Sequence, residues 1–78
     1  MEELLTYVVK ALVEQKDDVK VVSEAQNERN ITLKVYVNSE DLGKVIGKNG
    51  KVANALRAII KSASTNKDAR YFVKIMEN

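Results

Sequence analysis

The sequence contains no cysteine, no histidine and no proline. Without cysteine a disulfide framework is excluded, and without either cysteine or histidine the usual zinc and transition-metal sites are too. The same absences remove the commonest general base and the readiest nucleophile. Asp17 and Asp18 adjoin, but in a turn and with no base or metal constellation beside them. No catalytic residue, metal site or cofactor is therefore expected, and the chain is read as a non-enzyme. No apolar run approaches the roughly 20 residues needed to span a bilayer. The start, Met1-Glu2-Glu3, is acidic where a signal peptide is basic. The expectation is one cytoplasmic domain over residues 1–78, since no proline, repeat or low-complexity tract marks a boundary.

What is present is unevenly placed. Residues 1–41 carry nine acids and five bases, whereas residues 42–67 carry six bases (Lys44, Lys48, Lys51, Arg57, Lys61 and Lys67) and no acid. A local positive field on a chain of net charge only +2 suits an anionic partner, and equally a solvated helix face.

Apolar periodicity gives the elements. Leu5, Val8, Val9 and Leu12 recur at helical spacing. "DVKVVSEA" is a β-branched strand candidate with ragged alternation. "ITLKVYVN" alternates strictly, with Ile31, Leu33, Val35 and Val37 on one face and Thr32, Lys34, Tyr36 and Asn38 on the other. Asn38 or Ser39 can cap a short helix that Gly47 stops. A long helix follows from about Lys51 to Ser64, and "RYFVKIM" closes the chain as a strand with Tyr71, Val73 and Ile75 on one side. The order α-β-β-α-α-β describes an α+β domain with three helices on one face of a three-stranded sheet.

All three glycines, Gly43, Gly47 and Gly50, fall within "LGKVIGKNGKVANAL". Their spacing fails the nucleotide-hydrolysing P-loop, which needs four residues between its glycines and then Lys-Ser/Thr. The dinucleotide fingerprint fails as well. A helix–G-x-x-G–helix turn over residues 47–50 remains. Bare backbone at such a turn lets a sugar-phosphate chain approach, and the opening N–H groups of the next helix favour an anion. Lys48 at the tip, flanked by Lys44 and Lys51, adds point charges, and Asn49 tolerates unusual backbone angles. A bland alternative stands beside this: Gly47 as a helix C-terminal cap and Gly50 as the next N-terminal one.

"KVIGKNGKVANALRAI" resembles the KH-domain signature, in which an Ile-Gly-x-x-Gly turn joins two helices and grips about four nucleotides of backbone. The element order resembles the type II arrangement, and the likeness to small bacterial single-KH RNA-binding proteins covers essentially the whole chain. One position departs: Ala53 stands where KH domains usually carry a larger aliphatic residue. The resemblance implies that Lys44, Val45, Gly47, Lys48, Asn49, Gly50 and Lys51 form the RNA-binding surface. In it Val45 and the strand around Leu33 to Val37 floor the groove, while Ile46 belongs to the core. Arg57, Lys67 and Arg70 are further candidates. Four aromatic residues, three Tyr and one Phe, are too few for a base-stacking sheet of the RRM kind.

The long helix carries more apolar surface than a small sheet needs. Ala53, Leu56, Ile60 and Ala63 are assigned to the core, which leaves Val52, Ala55 and Ile59 either as a candidate interface for a second copy or as an arc covered by the N-terminal helix. The resemblance further implies a homodimer, a larger KH-containing partner, and an RNA-chaperone or post-transcriptional role on single-stranded RNA, with single-stranded DNA left open. The alternative is a protein–protein dimerisation module whose G-x-x-G turn is only structural.

Overall fold

The computed structural model describes residues 1–65 and 67–78. The elements are α1 (Glu2–Leu12), β1 (Lys20–Ala25), β2 (Asn30–Val37), α2 (Leu42–Ile46), α3 (Lys51–Ala63) and β3 (Arg70–Glu77). Single 3₁₀ turns at Lys16–Asp18, Ser39–Asp41 and Lys48–Gly50 join them. The expected α-β-β-α-α-β order is thus realised.

Strands lie in the order β1-β2-β3. β1 runs antiparallel to β2, with Ser23 opposite Leu33, and β3 runs parallel to β2, with Val73 beside Leu33. A parallel neighbour needs a crossover, and the α2–turn–α3 unit supplies it. The strict alternation of β2 suits a central strand: Leu33, Val35 and Val37 are buried, and Thr32, Lys34 and Tyr36 lie on the opposite face. The ragged alternation of β1 suits an edge. Only Val21 in it is half-buried, and the Ser23 N–H donates to a Glu2 carboxylate oxygen at 3.1 Å, which ties the start of α1 to that edge.

Leu5 and Val9 of α1 join Leu33, Val35, Val37, Val45, Leu56, Ile60 and Val73 in the core. Two expected core positions fall outside it. Leu12 ends α1 and is exposed, because the chain turns extended at Val13 (φ −105°, ψ 160°) and swings that residue inward instead. Ala63 is exposed at the last turn of α3, beyond the reach of the sheet. The N-terminal cap of the α2 region is Asn38, whose side-chain oxygen accepts from the Glu40 N–H at 2.8 Å.

Asp41 fastens the end of α1 to the start of α2. Its carboxylate is 2% exposed and accepts from the N–H groups of Gln15 (2.8 Å) and Glu14 (3.2 Å), just past α1. These backbone donors, Gln15 first, outweigh the penalty of burial and hold its pKa below the ordinary carboxylate range; Lys44 adds to the effect. The bonds satisfy N–H groups that would otherwise be stranded where α1 breaks off.

Candidate nucleic-acid interface

α2 ends because Gly47 leaves helical space (φ 75°, ψ 171°), its N–H still bonded to the Gly43 carbonyl at 2.8 Å. Asn49 (φ 58°) and Gly50 (φ 76°) are also at positive φ, and the Gly50 N–H closes the turn on the Gly47 carbonyl at 3.2 Å. Side chains crowd the backbone in such conformations, so glycine and asparagine are the residues that adopt them readily.

The two glycines do different work. A Cβ on Gly47 would lie 2.5 Å from Val52 Cγ2 and 2.8 Å from the Val52 nitrogen, so its bareness lets α3 start hard against α2. A Cβ on Gly50 would meet nothing within 4 Å. The open side of the turn is therefore at Gly50, flanked by the exposed side chains of Lys48, Asn49 and Lys51. The expectation of a bare bend holds for Gly50, whereas Gly47 is bare for an internal reason.

Three expected placements are corrected. Val45 is 0% exposed and belongs to the core, whereas Ile46 is 38% exposed beside the turn. The two exchange the expected places, because α2 docks through Val45 and turns the next residue outward. Leu33, Val35 and Val37 lie under the helices and cannot floor a groove. The Lys44 ammonium is turned back toward carboxylates, 3.1 Å from Glu14 and 3.7 Å from Asp41. These partners, Glu14 first, raise its pKa and place negative charge beside its ammonium, which offsets the attraction it offers a phosphate. Among the described residues only Lys34, paired with Glu24, is held by a carboxylate in the same way. Lys48, Lys51, Arg57, Lys61, Lys67 and Arg70 have no carboxylate within 4 Å among the described residues.

Arg57 reaches from α3 to the edge of β3, donating from Nε to the Val73 carbonyl (3.4 Å) and from Nη1 to Asn54 Oδ1 (3.1 Å). Beyond it, between α3 and the start of β3, opens a recess of about 660 Å³. Arg57, Lys67 and Arg70 all line it, together with Lys61 and the half-exposed Phe72. Phe72 was not singled out by the sequence, although its place opposite Tyr71 and Val73 in an alternating strand already put it outside the core. Of the candidate interface residues on α3, Ile59 (40%) and Ala55 are exposed, but Val52 packs against the core and Gly47. Among the described residues no group of acids is placed to hold a metal ion, and no helix is long and apolar enough to cross a membrane.

A helix–G-x-x-G–helix turn mounted on a mixed sheet, with the two helices as the crossover of its parallel strands, defines a KH domain of type II arrangement. The chain belongs to the KhpA/KhpB KH-domain family, whose model matches residues 2–75. It is 43% identical over 76 residues to RNA-binding protein KhpA of Clostridium acetobutylicum and 40% identical over 76 residues to that of Clostridium perfringens. Each match covers 97% of this chain and 100% of the relative. RNA-binding protein KhpA of Leifsonia xyli is 44% identical over 66 residues, covering 85% of this chain and 86% of the relative. No solved structure matches significantly.

Proposed function

We propose that this protein binds single-stranded RNA and is not an enzyme. The backbone of Gly47, Lys48, Asn49 and Gly50 grips the sugar-phosphate chain, and Lys48 and Lys51 neutralise phosphates. Ile46, not Val45, supplies apolar surface beside the turn. The observation that carries this reading is the open space at Gly50 between Lys48 and Lys51, which pair with no carboxylate among the described residues. The relatives named as RNA-binding proteins support it.

The protein acts inside the cell in this reading, as an RNA chaperone or post-transcriptional regulator. One KH site grips about four nucleotides, so pairing through Ile59 and Ala55 with a second copy, or with a larger KH-containing partner, raises avidity by effective concentration.

Fluorescence anisotropy against a labelled single-stranded RNA tests the binding. Affinity should fall with salt at a log–log slope near −0.7 per neutralised phosphate. Lys48→Asp combined with Asn49→Asp should abolish it while circular dichroism stays unchanged, since both residues are exposed. Normal binding by that folded double mutant would refute the site. A second reading, dimerisation with a purely structural turn, draws on the Val52 contact at Gly47 and on exposed Ile59; it requires no RNA binding and an association insensitive to salt.

A further inference from the structure

The side of the sheet turned away from the helices is built from alternate residues of all three strands. In register across it, Lys20, Tyr36 and Met76 form one row and Val22, Lys34 and Lys74 the next, followed by Glu24, Thr32 and Phe72. The helices pack on the other side, where Leu5, Val9, Val45, Leu56 and Ile60 join the buried face of β2. No described element covers the three rows. Phe72 is 50% and Val22 36% exposed; Lys20, Glu24 and Lys74 are exposed, and Tyr36 and Met76 are half-buried.

Two of the four aromatic residues, Tyr36 and Phe72, are gathered on this face, a concentration that their small number did not suggest. The carboxylate in the rows, Glu24, is taken up by Lys34 at 2.6 Å and by the Gln26 amide at 3.3 Å. Lys20 and Lys74 pair with no carboxylate among the described residues, so the face is positive where it is free. Its apolar groups do not merge into one patch, because Lys34 stands at the middle of the rows with Thr32 beyond it. Protein–protein interfaces are depleted of lysine at their centre and concentrate aromatic side chains there. Cations interleaved with rings are instead the pattern that carries a single nucleic-acid strand without regard to sequence. Tyr36 and Phe72 are one strand over and four residues along from each other, about 14 Å, with Lys74 between them.

We propose that the helix-free face of the sheet is a second surface for single-stranded RNA, with phosphates on Lys20 and Lys74 and bases stacked on Tyr36 and Phe72. It goes beyond the RNA-binding reading above, which concerns the turn, and rests on it for the first strand. The turn joins two helices that pack on the opposite side, so a strand at the turn and a strand on the sheet lie on different sides of the domain. One copy thereby holds two RNA segments at once, the arrangement that brings strands together. The sheet surface is the weaker of the two, because its backbone donors are spent in the strand ladders and cannot close on a phosphate.

The test measures energy transfer between donor- and acceptor-labelled single-stranded RNAs of about ten nucleotides mixed with the Ile59→Asp protein, in which a second copy supplies no second turn. Transfer should appear. Lys20→Ala with Lys74→Ala should lower it several-fold, while anisotropy with an RNA of about four nucleotides, which the turn holds, stays within about twofold. Tyr36→Ala should lower transfer roughly fivefold or more, and Tyr36→Phe should preserve it. Lys10→Ala, which removes an exposed lysine of α1, should leave it unchanged and so separates the face from net charge. Arg70 and Phe72 stay unaltered, because both also line the recess beside α3. Unchanged transfer in a folded Lys20→Ala, Lys74→Ala protein overturns the second surface and leaves the turn in place. So does an equal loss with Lys10→Ala, or no transfer from an Ile59→Asp protein that binds the shorter RNA. If the double variant keeps its transfer but no longer binds a poly-glutamate peptide that the parent binds, the face belongs to an acidic protein partner. If the shorter RNA is not bound at all, both readings fall.

Discussion

Val52 occupies the space that a side chain on Gly47 would need: its Cγ2 is 2.5 Å, and its backbone nitrogen 2.8 Å, from the position of a Cβ there. Gly50, three residues on, faces open space. One glycine of the turn is required by the fold and the other keeps the surface bare.

Alanine substitutions should separate these roles. Gly47 combines a conformation open almost only to glycine with a clash against backbone, so Gly47→Ala should cost roughly 2–5 kcal/mol of stability. Gly50→Ala carries only left-handed strain, about 1–2 kcal/mol, yet it places a methyl group where RNA is proposed to lie. Urea unfolding paired with anisotropy checks both. A Gly50→Ala variant that stays folded and binds like the wild type would remove Gly50 from the site.

Lysine substitutions should divide along the ion-pair pattern. Lys51→Ala should lower the salt slope of RNA binding by roughly 0.7. Lys44→Ala should leave that slope unchanged, because Glu14 and Asp41 hold the Lys44 charge. The reverse result would mean that Lys44 abandons its carboxylates in the complex.

Asp41 should set part of the acid stability. Its pKa is lowered in the folded chain, chiefly by the Gln15 N–H. Its contribution is therefore complete above the unfolded carboxylate range, near 3.9. It is lost as pH falls through the lowered folded value. Thermal melts between about pH 2 and 7 should show the wild type losing stability below about pH 4. Asp41→Asn should melt lower at neutral pH and show a shallower acid slope. An unchanged slope would shift the acid sensitivity to other carboxylates.

Ile59→Asp tests the proposed pairing surface. Ile59 is 40% exposed, so the charge can be solvated and the melt should change little. Sedimentation velocity should move from dimer to monomer. A wild type that already sediments as a monomer removes the pairing altogether.

The comparison of Val45 with Ile46 shows how far the sequence could be read. Over eight residues of β2 the alternation is long enough to name the buried face from local pattern alone, and Leu33, Val35 and Val37 are buried as it requires. α2 has five residues, too few for a helical period, so which of two adjacent aliphatics points inward depends on how the helix docks. Lys44 belongs with them. Its spacing from the turn suggested a phosphate ligand, but Glu14, thirty positions earlier, is its partner in space. Phe72 and Lys61 come together at the recess for the same reason, from separate elements.

The sequence by itself determined the order of elements, the core face of β2 and the place of the turn, because periodicity, capping and the need for glycine at positive φ act between near neighbours along the chain. Tertiary structure alone decided the parallel pairing of β2 with β3, the burial of Asp41 beneath the end of α1, which lysines keep their charge available, and the recess beyond Arg57. Each of these joins residues distant in sequence. Their energies depend on distances and solvent exposure that exist only once the layers have packed.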